Sequence, residues 1–175
     1  MEAKRDIMME DRKLRERERP MGNRANVVFE SEDSTAFSPA IYLHWNGGPE
    51  SIYAFMQVAD QFNVRKDDLP YRASRFCQIV GNFLGGTLSL GLQSVSTAKD
   101  IEAFDPGDNG TFVFAWIAKK KQWRCRRYTG GKWLTPKEVQ QEHAAALKSD
   151  YWKKNRIVKN IIKANKAHFN GKNTD

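Results

Sequence analysis

Two consecutive stretches with a helical apolar period, flanked on both sides by β-rich runs, constrain this chain more than any other feature. From Pro49 to about Phe62 the apolar positions Ile52, Phe55, Met56, Ala59 and Phe62 fall at steps of three and four. From about Pro70, Ala73, Phe76, Cys77, Val80, Phe83 and Leu84 repeat that spacing, which gives each of two helices one buried stripe. Pro49 suits the first helical position, and Gly85 and Gly86 suit a left-handed C-terminus. Upstream, Asn26 to Phe29 (NVVF) and Ala40 to Trp45 (AIYLHW) read as two strands joined by a polar loop. Downstream, Thr87 to Val95 (TLSLGLQSV) alternates with period two, and Thr111 to Ala118 (TFVFAWIA) is strongly strand-forming after the turn cluster DPGDNG at 105–110. Lys119 to Lys121 form the tip of a hairpin returning through Gln122 to Tyr128 (QWRCRRY), with Trp123, Cys125 and Arg127 on one face and Arg124, Arg126 and Tyr128 on the other. Gly130 and Gly131 end that strand. Thr135, Pro136 and Glu138 then start a helical tail, one long helix or two shorter ones, through about Phe169. The order ββααβββα lacks regular strand–helix alternation. It predicts an α+β fold with a small, mainly antiparallel sheet, two packed helices and a long C-terminal helix.

At 175 residues with 40% hydrophobic positions, the chain is long enough to bury a core without a metal or a disulfide staple. No apolar run approaches the roughly 18 to 20 residues of a membrane span, and the N-terminus has no apolar centre of a secretory signal, so a cytoplasmic protein is expected. Cys77 and Cys125 read as free thiols, and neither they nor the three histidines form a set with metal-ligand spacing. No metal and no cofactor are expected. Residues 1–20 alternate charges with few apolar groups and read as an extension, disordered or helical. Residues 21–135 read as the α+β core, and 136–175 as a basic helical segment.

Charge is unevenly spread: net +1 over residues 1–20, −5 over 21–118, +7 over 119–135 and +5 over 136–175. Such asymmetry points to a polyanion or an acidic protein surface as partner. In the hairpin, Lys119, Lys120, Lys121, Arg124, Arg126 and Arg127 surround Trp123 and Tyr128, a mixture suited to phosphate contact and base stacking. On the last helix Arg156, Lys159, Lys163 and Lys166 share one face, opposite Ile157, Val158, Ile161 and Ile162. These residues are the candidate nucleic-acid contacts. A solvated, solubilising surface is the simpler alternative.

The segment from Trp45 to Ser51 combines a strand end, a double glycine and a helix start, the arrangement that offers backbone N–H groups to an anion. The loop carries no Lys or Arg, and Glu50 occupies the first helical turn, which favours a sharp turn that lets Trp45 and Tyr53 pack. If Tyr42, His44 and Asn46 share a face with Glu50 or Ser51, then His44, Asn46, Gly47, Gly48, Glu50 and Ser51 form a pocket for a small polar ligand, or an acid–base pair. Cys77 reads as inert, and Cys125 as exposed among cations but without a histidine near it in sequence. Gly81 and Asn82 are poor helix formers inside a helical pattern, explained by close packing or by a ligand. Asp108, Asn109 and Gly110 read as a turn.

The boxes Met21-Gly22-Asn23-Arg24-Ala25, YLHWNGGPES at 42–51, GNFLGGTLS at 81–89 and DNG at 108–110 resemble those of a group of short bacterial and phage proteins that begin MGNRA. The resemblance spans Met21 to Trp116 and implies Met21 as the family-like start, with a role in mobile-element biology. It brings no activity with it. The resulting expectation is a non-enzymatic accessory protein of a phage or other mobile element, or of its host. It would bind nucleic acid or a nucleic-acid-handling complex through its basic third, with no catalytic residues assigned. The alternatives are a small-ligand or nucleotide site at the His44 loop, with or without catalysis, and an inhibitor of a host defence complex.

Overall fold

A computed structural model describes residues 23–85, 90–104, 107–154 and 156–169. The expected N-terminal extension at 1–20 lies outside them, as do residues 87–89 of the strand expected at Thr87 to Val95. The strands are β1 (Ala25–Glu30), β2 (Ala40–Leu43), β3 (Leu90–Gln93), β4 (Thr111–Ile117), β5 (Gln122–Thr129) and β6 (Lys132–Trp133). The helices are α1 (Pro49–Gln61), α2 (Leu69–Leu84), α3 (Ala98–Ala103), α4 (Pro136–Lys148), α5 (Asp150–Lys154) and α6 (Ile157–Phe169). One mixed sheet has the order β3-β2-β1-β4-β5-β6, in which β1 and β4 run parallel and the other neighbours antiparallel. The α+β class holds. The parallel centre was not legible in the sequence, because β1 and β4 are joined only through β2, two helices, β3 and α3.

Local signals account for most element ends. Asp68 caps α2 by accepting from the Tyr71 N–H at 2.9 Å, and Gly85 closes it at φ +75°. Thr135 and Glu138 form the expected reciprocal capping box at the start of α4. The tail is three helices rather than one or two: Ser149 has extended backbone after α4 and its Oγ accepts from the Trp152 N–H, and Arg156, at φ +48°, separates α5 from α6. Helix α3, with its own capping box at Thr97 and Asp100, and the two-residue β6 are additions to the sequence-based order.

Alternation along the strands sorts the core into two layers. Ala25, Val27, Phe29, Ile41, Leu43, Phe112 and Phe114 face Ile52, Phe55, Phe76, Ile79 and Val80 of α1 and α2. Val28, Ala40 and Val113 face the opposite side, where Ile101 of α3 and Trp133 cover them. The tail is not a separate segment beyond 135: Ala146, Ile157 and Ile161 belong to the same core cluster as α1 and α2. That packing also explains why every residue from Ser51 to Met56 is buried, where the apolar period alone marks a single stripe. Asn165, fully buried on α6, donates from Nδ2 to the carbonyls of Ile79 and Ile161, both at 3.0 Å, and accepts from Asn82 Nδ2 at 2.9 Å. Asn82 thus pins α2 to α6. A Cβ placed on Gly81 would have only Leu90 within 4 Å, at 3.8 Å, so close backbone packing does not explain that glycine.

Candidate functional site

The start of β1 is where separated sequence boxes meet. A Cβ on Gly47 would lie 2.5 Å from the Asn23 carbonyl oxygen and 2.6 Å from the Ala25 nitrogen. Only glycine therefore lets the turn after β2 lie against this backbone, where Gly47 N–H donates to the Asn23 carbonyl at 2.6 Å. The residue before it, Asn46, takes φ +58°, a left-handed conformation that asparagine adopts more readily than most residues. From the other side the 108–110 turn grips the same segment. Asp108 Oδ2 accepts from Arg24 N–H at 3.0 Å and from Arg24 Nε at 2.8 Å, and Asn109 Nδ2 donates to Asn23 Oδ1 at 2.6 Å. The hydrogen-bonded Arg24 guanidinium holds the Asp108 carboxyl down at about 2.

A cleft of about 800 Å³ opens over this junction, lined by Asn23, Trp45, Asn46, Gly48, Glu50, Ser51, Leu84 and Tyr151. The MGNRA box supplies Asn23, the YLHWNGGPES box supplies Trp45 to Ser51, the GNFLGG box supplies Leu84, and the DNG box braces Asn23 through Asn109. Asn46 Nδ2 donates to the Tyr151 hydroxyl at 3.2 Å and to Ser51 Oγ at 3.4 Å. Tyr151 comes from α5, a position that no local sequence signal distinguishes from its Lys-rich surroundings. The lining offers amides, hydroxyls, a carboxylate and the partly exposed Trp45 indole. Among the described residues it holds no Lys or Arg, and Glu50 sits where an anion would meet the start of α1. The arrangement suits a neutral or cationic ligand better than a phosphate.

Of the expected pocket residues, Asn46, Gly48, Glu50 and Ser51 line the cleft, Gly47 supports it from below, and His44 does not reach it. His44 Nδ1 lies 2.9 Å from the Tyr42 hydroxyl, and its ring packs edge-on against Trp45 at 4.7 Å. It follows the end of β2 at Leu43, and among the described residues no hydrogen bond or ion pair joins it to Glu50.

The basic residues are divided rather than gathered. Arg124 and Arg126 lie on the sheet face away from α6 and both bind Glu30, whose side chain is fully buried: Arg124 Nη2 at 3.1 Å and Arg126 Nη2 at 2.6 Å. Arg127 is a core residue, with its side chain 7% exposed; it is paired with Glu142, donates to the Asn109 carbonyl at 2.8 Å and lies over the Phe112 ring. Burial lowers its pKa. It is not a surface phosphate contact. Trp123 is half-buried, donates to Asp60 Oδ1 at 3.1 Å and carries the Arg72 guanidinium over its ring, while Tyr128 packs edge-on against Trp133. Lys119, Lys120 and Lys121 at the hairpin tip and Lys159, Lys163 and Lys166 on α6 remain exposed, as does Arg156, which stands just before α6 rather than on it.

Both thiols are half-buried, and burial pushes Cys77 up to about 11 and Cys125 up to about 12, which disfavours the thiolate at neutral pH. Cys125 is half-buried beside the Tyr53 hydroxyl, at 3.9 Å. His143 packs on Tyr53 with the rings tilted by 40° and centroids 4.3 Å apart, and burial lowers its pKa. Among the described residues no group of three or more His, Cys, Asp or Glu is placed to hold a metal, and no helix is long and apolar enough to cross a membrane. No protein-family model, no curated protein and no solved structure matches this chain.

Proposed function

We propose that this chain is a non-enzymatic binding protein whose cleft beside Asn46 takes a small neutral or cationic polar ligand, within a phage, another mobile element or its host. The observation that carries the reading is the convergence of three separated sequence boxes on one cleft, with a fourth bracing it through Asn109. The chemistry favours a ligand with several hydroxyl or amine donors and one flat face: Glu50, Asn46 and Ser51 accept, and the Trp45 indole supplies a surface for stacking. Glu50 is the one carboxylate among the described lining residues and His44 is not among them, so the reading is of a site that binds rather than performs acid–base chemistry.

A panel of neutral sugars, nucleosides and polyamines, set against nucleoside phosphates, tests this by thermal unfolding. A neutral or cationic member at about 100 times its Kd is expected to raise Tm by about 5 to 10 °C. The rise should shrink in Tyr151→Phe, which removes a hydroxyl, and in Glu50→Gln, which removes the negative charge. Only phosphates raising Tm, or a rise unchanged in both variants, would reject it.

Nucleic-acid binding is the second reading, supported by the exposed row Arg156, Lys159, Lys163 and Lys166. Four phosphate contacts would give a salt slope of about −4 on duplex DNA. Replacing Lys159, Lys163 and Lys166 by Gln is expected to flatten that slope by about 3 in fluorescence anisotropy; an identical slope would sink this reading.

A further inference from the structure

Strand β5 has a second edge that the sheet leaves open. Its ladder with β6 covers only Tyr128 and Thr129, whereas its ladder with β4 runs from Gln122 to Tyr128. The Leu134 N–H donates to the Arg127 carbonyl at 2.9 Å on that outer side. Antiparallel alternation then turns the N–H and C=O groups of Cys125 and Trp123 the same way, and among the described residues none pairs with them. Gln122 to Arg126 present about 17 Å of such edge.

A groove of about 570 Å³ runs along this edge. Its lining takes Trp123 and Cys125 from one face of β5 and Gln122 and Arg124 from the other, which places it on the edge itself. The far wall is a single stripe of α4, formed by Pro136, Val139, Gln140 and His143, with Lys120 at the tip end. An open strand edge facing a helix wall is the arrangement that accepts an added strand: main-chain bonds give affinity and alternate side chains read the walls.

We infer that the β5–α4 groove binds an extended, acidic segment of a partner protein by strand addition. The charge sets the occupant's sign. Residues 119–135 contain seven Lys and Arg and no Asp or Glu; Arg124, Arg126, Arg127 and Lys132 are paired with carboxylates, which leaves Lys120 in the groove lining and Lys119 and Lys121 beside it, exposed and without a carboxylate partner among the ion pairs of the described residues. Glu30 holds Arg124 and Arg126, and Glu142 holds Arg127; Glu32, the one acid in the groove lining, brings a negative charge, accepts from the Ala118 N–H and is outnumbered there by Lys120 and the adjoining Lys119 and Lys121. A nucleic acid fits less well, because the Arg124 guanidinium is already bound by Glu30, the Glu32 carbonyl and Ser34, and outward main-chain groups match a polypeptide.

The test is an NMR titration of the full chain with a short peptide alternating glutamate and valine. Controls are the same peptide with lysine for glutamate, a backbone N-methylated version, and an oligo-dT strand. Saturable shifts and slowed amide exchange at Trp123 and Cys125 are expected with the acidic peptide. Affinity should be at least about tenfold weaker for the lysine and N-methylated peptides, and for the surface variants Lys120→Glu and Gln140→Glu, each a difference of about 1.4 kcal/mol. Equal binding of the N-methylated peptide, unchanged affinity in both variants, or shifts at this edge from oligo-dT alone would overturn the assignment. So would protection of these amides in the free chain, whether by a second copy or by its own N-terminal residues.

Discussion

Gly110→Ala is expected to destabilise the fold by about 2 to 5 kcal/mol, combining a left-handed backbone cost of about 1 to 2 with an overpacking cost of about 1 to 3. Gly110 sits at φ +67°, and its carbonyl accepts from the Asn26 N–H at 3.0 Å, so it joins the DNG turn to β1. An added Cβ would collide with the Tyr128 carbonyl oxygen and lie 2.8 Å from Thr129 Cβ and 2.9 Å from Thr129 Cα. Those atoms belong to β5, held between β4 and β6, and have nowhere to move. Gly131→Ala is the control: its φ is +76°, but nothing lies within 4 Å of the new methyl, so only the conformational cost of about 1 to 2 kcal/mol applies. Urea unfolding of the two variants checks the difference. Equal midpoints would show that β5 yields at this contact.

Glu30→Ala is expected to cost about 2 to 3 kcal/mol. The fully buried carboxylate accepts from Arg124 Nη2 and Arg126 Nε, both at 3.1 Å, and from Arg126 Nη2 at 2.6 Å. Removing one partner of a buried ion pair costs about 3 to 5 kcal/mol because the other charge is stranded. Here both arginines are about a third exposed and can turn toward water, which brings the cost to the bottom of that range or just below it. Chemical denaturation measures it, and a loss below about 0.5 kcal/mol, the level of ordinary surface substitutions, would contradict the assignment. The same geometry bears on binding experiments. Neutralising Arg124, Arg126 and Arg127 together would empty the Glu30 and Glu142 pairs as well as remove surface charge, so it would report stability as much as binding. The exposed lysines of α6 separate the two.

Much of the local architecture is legible in the residues. The steps of three and four in Ile52, Phe55, Met56 and Ala59 locate α1, Thr135 and Glu138 mark the start of α4, and alternation in QWRCRRY assigns Trp123, Cys125 and Arg127 to one face and Arg124, Arg126 and Tyr128 to the other, as found. The cleft is half legible: the NGGPES box names Asn46, Gly48, Glu50 and Ser51, while Asn23, Leu84 and Tyr151 join it from positions up to 105 residues away from Asn46. Arg127 shows the converse failure. It stands among exposed cations in the sequence, yet its fate is set by Glu142 and Asn109 on other elements.

The amino-acid sequence by itself determined the α+β class, the helix and strand periods, the caps and the turn glycines, because each depends on residues a few positions apart. Only the tertiary structure decided the parallel pairing of β1 with β4, the docking of α4 and α6 over α1, the burial of Glu30 beneath two arginines and the meeting of four boxes at one cleft. The physical reason is range: a charge or an edge is exposed, paired or buried according to what the fold brings beside it, and Glu30 meets Arg126 across 96 residues of chain.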